Sequence, residues 1–225
     1  MRSSVAIAVA LLFAPFLAGA DAPTNRWQQP LEQTSTLLRD ANFAEARVRL
    51  STLTREMADT ITQPGADDRL FAIALAQLAV AEAGAGNADD AIWYWQIAQN
   101  VHADIRTFDV SPYGKAGEVL SSNVLPATPE TCTRPANAPA PAIIHRAEPK
   151  YPKGARQIPL TGLVMVELEL DENGRPIRPQ VLRSPSAALT YSTLITLREW
   201  RFAPQREGAS LTPFCRLFSF GQAAR

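Results

Sequence analysis

Gly162-Leu-Val-Met-Val-Glu-Leu-Glu-Leu-Asp-Glu-Asn-Gly174 is the stretch that decides the fold. Within it Val164, Val166, Leu168 and Leu170 share one side of an extended chain, and Met165, Glu167 and Glu169 share the other. That period of two marks a strand with one face for a core and one largely for water. Asp171-Glu-Asn-Gly174 follows as a turn whose glycine can take positive φ. The chain then returns over Arg175 to Arg183 as a second strand. Pro176 and Pro179 bring no N–H to a ladder, which predicts an irregular strand or one with an unpaired side.

Working outward, Ser186 to Arg201 reads as the main helix, with a stripe of Leu189, Leu194, Leu197 and Trp200. Phe214 to Phe220 is the last strand, with Phe214, Arg216, Phe218 and Phe220 on one face and Cys215 and Leu217 on the other. Upstream lie Tyr151-Pro152 and Ala155-Arg156, and Lys153 to Gln157 reads as a short helix. Together these predict a helix over one face of a three-stranded antiparallel sheet. The ordered set, with Ser184 and Trp200-Arg-Phe-Ala-Pro204, resembles the C-terminal domain of TonB from about Pro149 to Phe220. One departure is Thr190-Tyr-Ser-Thr193, where that family commonly has Asp-x-Ala-Ala.

What the resemblance implies is a non-enzymatic binding module in the envelope of a Gram-negative bacterium. In the family, an extended segment of an outer-membrane receptor pairs with the edge of the final strand, which needs backbone groups and pockets rather than a catalytic group. Carried onto this chain, the partner-binding positions are Pro149, Tyr151 and Pro152 before the domain, and Phe214, Arg216, Leu217, Phe218 and Ser219 in the last strand. Tyr151-Pro152 reads equally as a hydrophobic staple at the domain entrance. The implied partner is an outer-membrane TonB-dependent receptor or another envelope protein. The alternative is an envelope scaffold or adapter, with the helical repeats recruiting partners and the TonB-like module forming a homodimer.

Leu31 to Leu120 reads as helical hairpins. Ala46, Leu50, Leu53 and Met57 form one stripe, Leu70, Ile73, Ala74, Gln77, Leu78 and Ala81 a second, and Ala91, Trp95, Ala98 and His102 a third. Asp40-Ala-Asn-Phe-Ala-Glu-Ala46 and Gly84-Ala-Gly-Asn-Ala-Asp-Asp-Ala91 look alike, each setting a turn before an acidic residue and a small alanine. The arrangement is similar to tetratricopeptide repeats, although the copies lie farther apart than that family's period of about 34 residues. Ser111-Pro112 predicts a closing helix, with serine as N-cap and proline at the first helical position, running through Ala116, Val119 and Leu120. Trp93-Tyr94-Trp95 point in three directions, about 100° apart on a helix. Trp95 and Tyr94 are expected in or beside the core and Trp93 outside it. The fold class is therefore α+β: an α-helical hairpin domain, then a TonB-like domain with helices on a three-stranded antiparallel sheet.

Met1-Arg2, the apolar run Val5 to Leu17 and Ala18-Gly19-Ala20 read as a signal peptide cleaved after Ala20. An uncleaved inner-membrane anchor is the alternative, but the run is shorter than the roughly 20 apolar residues that span a bilayer. The expected organisation is residues 1–20 signal, 21–122 helical, 123–147 linker and 148–225 TonB-like, in the periplasm, with no membrane insertion of the mature chain. Pro126, Pro129, Pro135, Pro139 and Pro141 make the linker an extended tether. Typical energy-transducing members have an N-terminal transmembrane helix and a long spacer where this chain has a signal, a helical domain and a short spacer. Twenty-two basic and 22 acidic residues, in no run of either sign, exclude an electrostatic nucleic-acid footprint. Cys132 and Cys215 are the only cysteines, and in an oxidising compartment the pair predicts a disulfide that lays the linker near the last strand. His102 and His145 sit in no zinc-like spacing and no G-x-S-x-G elbow is present, so no cofactor, metal or catalytic residue is expected.

Overall fold

A computed structural model describes residues 26–61, 67–133, 141–153, 161–204 and 213–221. The expected signal peptide and most of the short helix at Lys153 to Gln157 lie outside the described residues. The N-terminal part contains α1 (Gln28–Arg39), α2 (Phe43–Thr60), α3 (Asp68–Gly84), α4 (Ala88–Val101) and α5 (Lys115–Ser121). The C-terminal part contains β1 (Ile143–His145), β2 (Gly162–Leu170), β3 (Pro176–Arg183), α6 (Ala187–Leu197), β4 (Arg201–Phe202) and β5 (Phe214–Phe220).

The two similar sequence segments fold into the same turn. After α1, the Asn42 N–H donates to Leu37 O (2.8 Å) and the Ala41 N–H to Leu38 O (3.1 Å), with Ala41 at φ 55°. After α3, the Asn87 N–H donates to Glu82 O (2.9 Å) and the Gly86 N–H to Ala83 O (3.1 Å), with Gly86 at φ 87°. Both are Schellman ends, in which a left-handed residue lets the chain cap its own last carbonyls before the next helix starts. The second hairpin seats Phe43 against Gly84, where a Cβ would stand 2.2 Å from the ring. What the fold shows is two helix hairpins, not a demonstrated repeat family.

Two expectations in this part need correction. α3 is buried on all sides, from Phe71 through Glu82, rather than along one stripe, because α1, α2, α4 and α5 all pack on it. Ser111 does not cap a single closing helix. Asp109 accepts the Ser111 N–H (2.9 Å), Ser111–Tyr113 forms a 3-10 turn, and Gly114 at φ 54°, ψ −129° breaks the chain before α5. Ala116 and Leu120 are buried as expected.

β2 is central and antiparallel to both neighbours, in the order β3-β2-β5. Val164, Val166, Leu168 and Leu170 all face the core. β3 is irregular, as its prolines predict: Arg178 takes φ 48° and the register shifts between Glu167 and Glu169. In the connecting turn, Asp171 Oδ1 accepts the N–H groups of Asn173 (2.9 Å) and Arg175 (2.7 Å). Gly174 is required there, since it has φ 73° and a Cβ would fall 2.1 Å from Phe202 O. Ser186 caps α6 by accepting the Leu189 N–H (3.3 Å). The helix ends at Leu197 rather than Arg201. The chain beyond turns Trp200 into the core and pairs β4 with β1, a two-stranded sheet too short to be read from periodicity.

Candidate partner-binding surface

β5 is an outer strand of the sheet. β2 pairs with it from Gly162↔Phe220 to Leu168↔Phe214, and among the described residues no strand lies on its other side. Strict alternation buries Phe214 and Phe218 and leaves Leu217 55% exposed, with Ser219 also exposed. Phe214 and Phe218 can therefore meet a partner only through their backbone. Arg216 lies beside the rings of Phe202 (5.7 Å) and Phe214 (5.6 Å) and donates to Pro141 O (3.1 Å). On the outer face, away from α6, Met165 is opposite Leu217 and the 43% exposed Leu163 is opposite Ser219. That end of the face offers an apolar patch.

The other end is covered by the proline-rich segment. Its described residues before 134 lie against both parts of the molecule. The Leu125 N–H donates to Gln99 Oε1 (2.8 Å) and Arg106 Nη2 to Thr128 Oγ1 (2.8 Å). Pro126 and Pro129 border a cavity of about 310 Å³ with Gln180 and Arg178 of β3 and Glu167 of β2. The Thr133 N–H and hydroxyl both donate to Glu167 Oε1 (2.7 and 2.6 Å), leaving Glu167 only 6% exposed. Cys132 and Cys215 are joined in a disulfide, fixing this strap to β5. Cys132, Glu167 and Cys215 are the described group whose ligand atoms lie close enough to share a metal ion. The disulfide engages both sulfurs, so the arrangement is a covalent latch.

The segment before the domain is fastened as well. Trp200 Nε1 donates to Ala147 O (2.8 Å), and the Ser192 hydroxyl donates to Lys150 O. Pro149, Tyr151 and Pro152 are half-buried, and Tyr151 packs against the core. Lys153 Nζ meets Asp59 Oδ2 of α2 at 3.1 Å. Lys150, between Pro149 and Pro152, is thus tied to α6, and Arg216 reaches the same pre-domain segment at Pro141, whereas Leu217 and Ser219 lie on the opposite, outer face of β5.

Trp93 corrects the sequence reading most clearly. It is 5% exposed, and its Nε1 donates to Leu194 O of α6 (3.2 Å). Nearby, Arg198 forms an ion pair with Asp90 of α4, and Phe71 of α3 meets Tyr191 edge-on at 5.2 Å. Asn100 of α4 spans two backbone groups of β3: Nδ2 donates to Pro179 O (2.8 Å) and Oδ1 accepts the Val181 N–H (2.7 Å). α6 is thus held between the sheet and the helical hairpins, and one hydrophobic core runs through both.

Burial at this junction, reinforced by Tyr94, pushes the Tyr191 phenol up to about 12 from an ordinary 10.0. The folded chain keeps that proton while the unfolded chain releases it near its ordinary value. Stability is therefore expected to fall as pH rises from about 10 to about 12, by roughly 2 kcal/mol. Urea unfolding at pH 9 and pH 11 checks this, with Tyr191→Phe expected to flatten the slope.

Comparison with known proteins places these features. The family model for the Gram-negative bacterial TonB protein C-terminal matches residues 147–214. Those residues are a TonB C-terminal domain. A 66-residue stretch is 38% identical to Protein TonB of Vibrio cholerae serotype O1, covering 28% of this chain and 27% of that protein. The chain thus matches about a quarter of the length of that relative. A solution NMR structure of the Pseudomonas aeruginosa TonB CTD is 26% identical and covers 40% of this chain and 94% of that one, with a TM-score of 0.33. The family match ends at Phe214, the first residue of β5. Arg216 to Ser219 therefore follow the matched part of the TonB C-terminal domain, and the helical hairpins precede it.

Proposed function

We propose that this chain is a periplasmic binding protein whose TonB C-terminal domain takes an extended segment of an outer-membrane receptor onto β5, as part of TonB-dependent transport. The observation that carries the reading is the joining of a TonB C-terminal domain to an outer strand that has β2 alone as a strand neighbour among the described residues. Strand addition draws its affinity from main-chain hydrogen bonds and its selectivity from alternate side chains. Leu217 and Ser219 are the exposed side chains that would supply that selectivity, with Leu163 beside them.

No helix of the described residues is long and apolar enough to cross a membrane. Trp93 and Asn100 of α4 are used in cis against α6 and β3, so that face of the hairpins is not open to a separate partner. Fluorescence anisotropy with a labelled synthetic peptide from the N-terminal periplasmic segment of a receptor of the same bacterium tests the proposal. Saturable binding that weakens at least tenfold in Leu217→Asp supports it. No binding by any such peptide, or equal binding by both proteins, rejects it.

A further inference from the structure

β3 is the sheet's second outer strand, and an uncovered strand at that position would be open to pairing with another chain. Part of its defence is local. Pro179 has no N–H to offer, and Arg178 at φ 48° interrupts the regular pleat. The rest comes from a helix. Asn100 donates to Pro179 O and accepts from the Val181 N–H, the two groups that flank Gln180. The N–H and C=O of one residue in a parallel neighbouring strand would bond the same two groups. The Asn100 amide therefore occupies, by a side chain, the hydrogen-bonding place of a fourth strand.

Its orientation is fixed by its other contact. Nδ2 also donates to Gln96 O, one turn back in α4 (2.8 Å). Reversing the amide would set its oxygen against two carbonyls and its NH2 against the Val181 N–H, so the network permits one arrangement. Trp93 and the Arg198–Asp90 pair hold α4 against the same unit from the α6 side.

We propose that the helical hairpins are a guard built into the chain, in which Asn100 closes β3 to strand addition, so that β5 is the edge left for pairing. The partner excluded at β3 is a strand from a second copy of this chain. The inference concerns β3 alone and stands whether or not β5 takes a receptor segment.

The test compares the full oxidised mature protein with Asn100→Ala, using amide hydrogen exchange and concentration-dependent NMR shifts with sedimentation velocity. In Asn100→Ala the Val181 amide is expected to exchange at least tenfold faster, with Val166 and Leu168 unchanged. The variant is also expected to self-associate at least tenfold more tightly than the natural protein, with shifts at residues 180–183. Asn100→Ser, too short to span both groups, provides the same readouts if the alanine variant does not fold. Unchanged Val181 exchange overturns the proposal. So does faster exchange without added self-association, which would make Asn100 a strut only, and so does association that maps to Phe214–Phe220 in both proteins.

Discussion

Trp93→Ala is expected to lower the stability of the chain by about 3–5 kcal/mol, the usual cost of truncating a buried tryptophan. For a chain of this size that corresponds to a fall in Tm of roughly 10 °C. Two losses combine. The indole fills space between α4 and α6, and its Nε1 donates to a carbonyl in the other unit, Leu194 O. Without the donor, a backbone acceptor at the junction loses its partner. The effect should also be shared between units: the natural protein is expected to melt in one transition by calorimetry, and Trp93→Ala in two. Trp95→Ala makes the informative control. Trp95 is buried too, yet it belongs to the third helical stripe, so its loss should lower stability without separating the transitions. A single, unshifted transition in Trp93→Ala would show that the indole does not join the two parts.

Removing the latch with Cys132→Ser and Cys215→Ser together is expected to cost a similar amount. The cysteines are 83 residues apart, and closing a loop of that length restricts the unfolded chain by about 4–5 kcal/mol in the chain-entropy account, against about 2–4 kcal/mol typically measured. Guanidinium unfolding of the natural protein with and without a dithiol reductant, beside the double variant, reads this directly. Because the core face of β5 is formed by Phe214, Phe218 and Phe220, the sheet should persist after reduction. What changes is the outer face. With the covalent link gone, the strap is held there by the two Thr133 bonds to Glu167, and amide exchange at Thr133 should rise while that of Val164 and Val166 does not. Identical denaturation midpoints in the three samples would mean that the bond contributes nothing to the native state.

The sheet was legible because each strand declares its own inside. The alternation in Val164 to Leu170, the turn at Asp171 to Gly174 and the phenylalanines of the last strand are local signals, and the burial follows them. The disulfide was legible from a lone pair of cysteines in an oxidising compartment. Trp93 was not, because helical phase places a side chain relative to its own hairpin and says nothing of a second unit. A signal for that second unit was nevertheless present. α6, Ala187 to Leu197, contains no charged residue at all, and a helix without a polar charged face is generally covered on more than one side. Reading only its leucine stripe missed the face that receives Trp93. Asn100 carried no such mark, since an asparagine late in a helix has the same appearance whether it meets water or another strand's backbone. β1 and β4 span three and two residues, below the length at which alternation can be distinguished from chance.

Amide NMR of the oxidised chain, titrated with the receptor peptide, tests strand addition most directly. Saturable shifts at the β5 amides from Phe214 to Phe220, with smaller ones at Leu163 and Met165, are the predicted result. Shifts confined to Pro149–Lys153 or to the β3 amides, or no shifts at any peptide concentration, would contradict it.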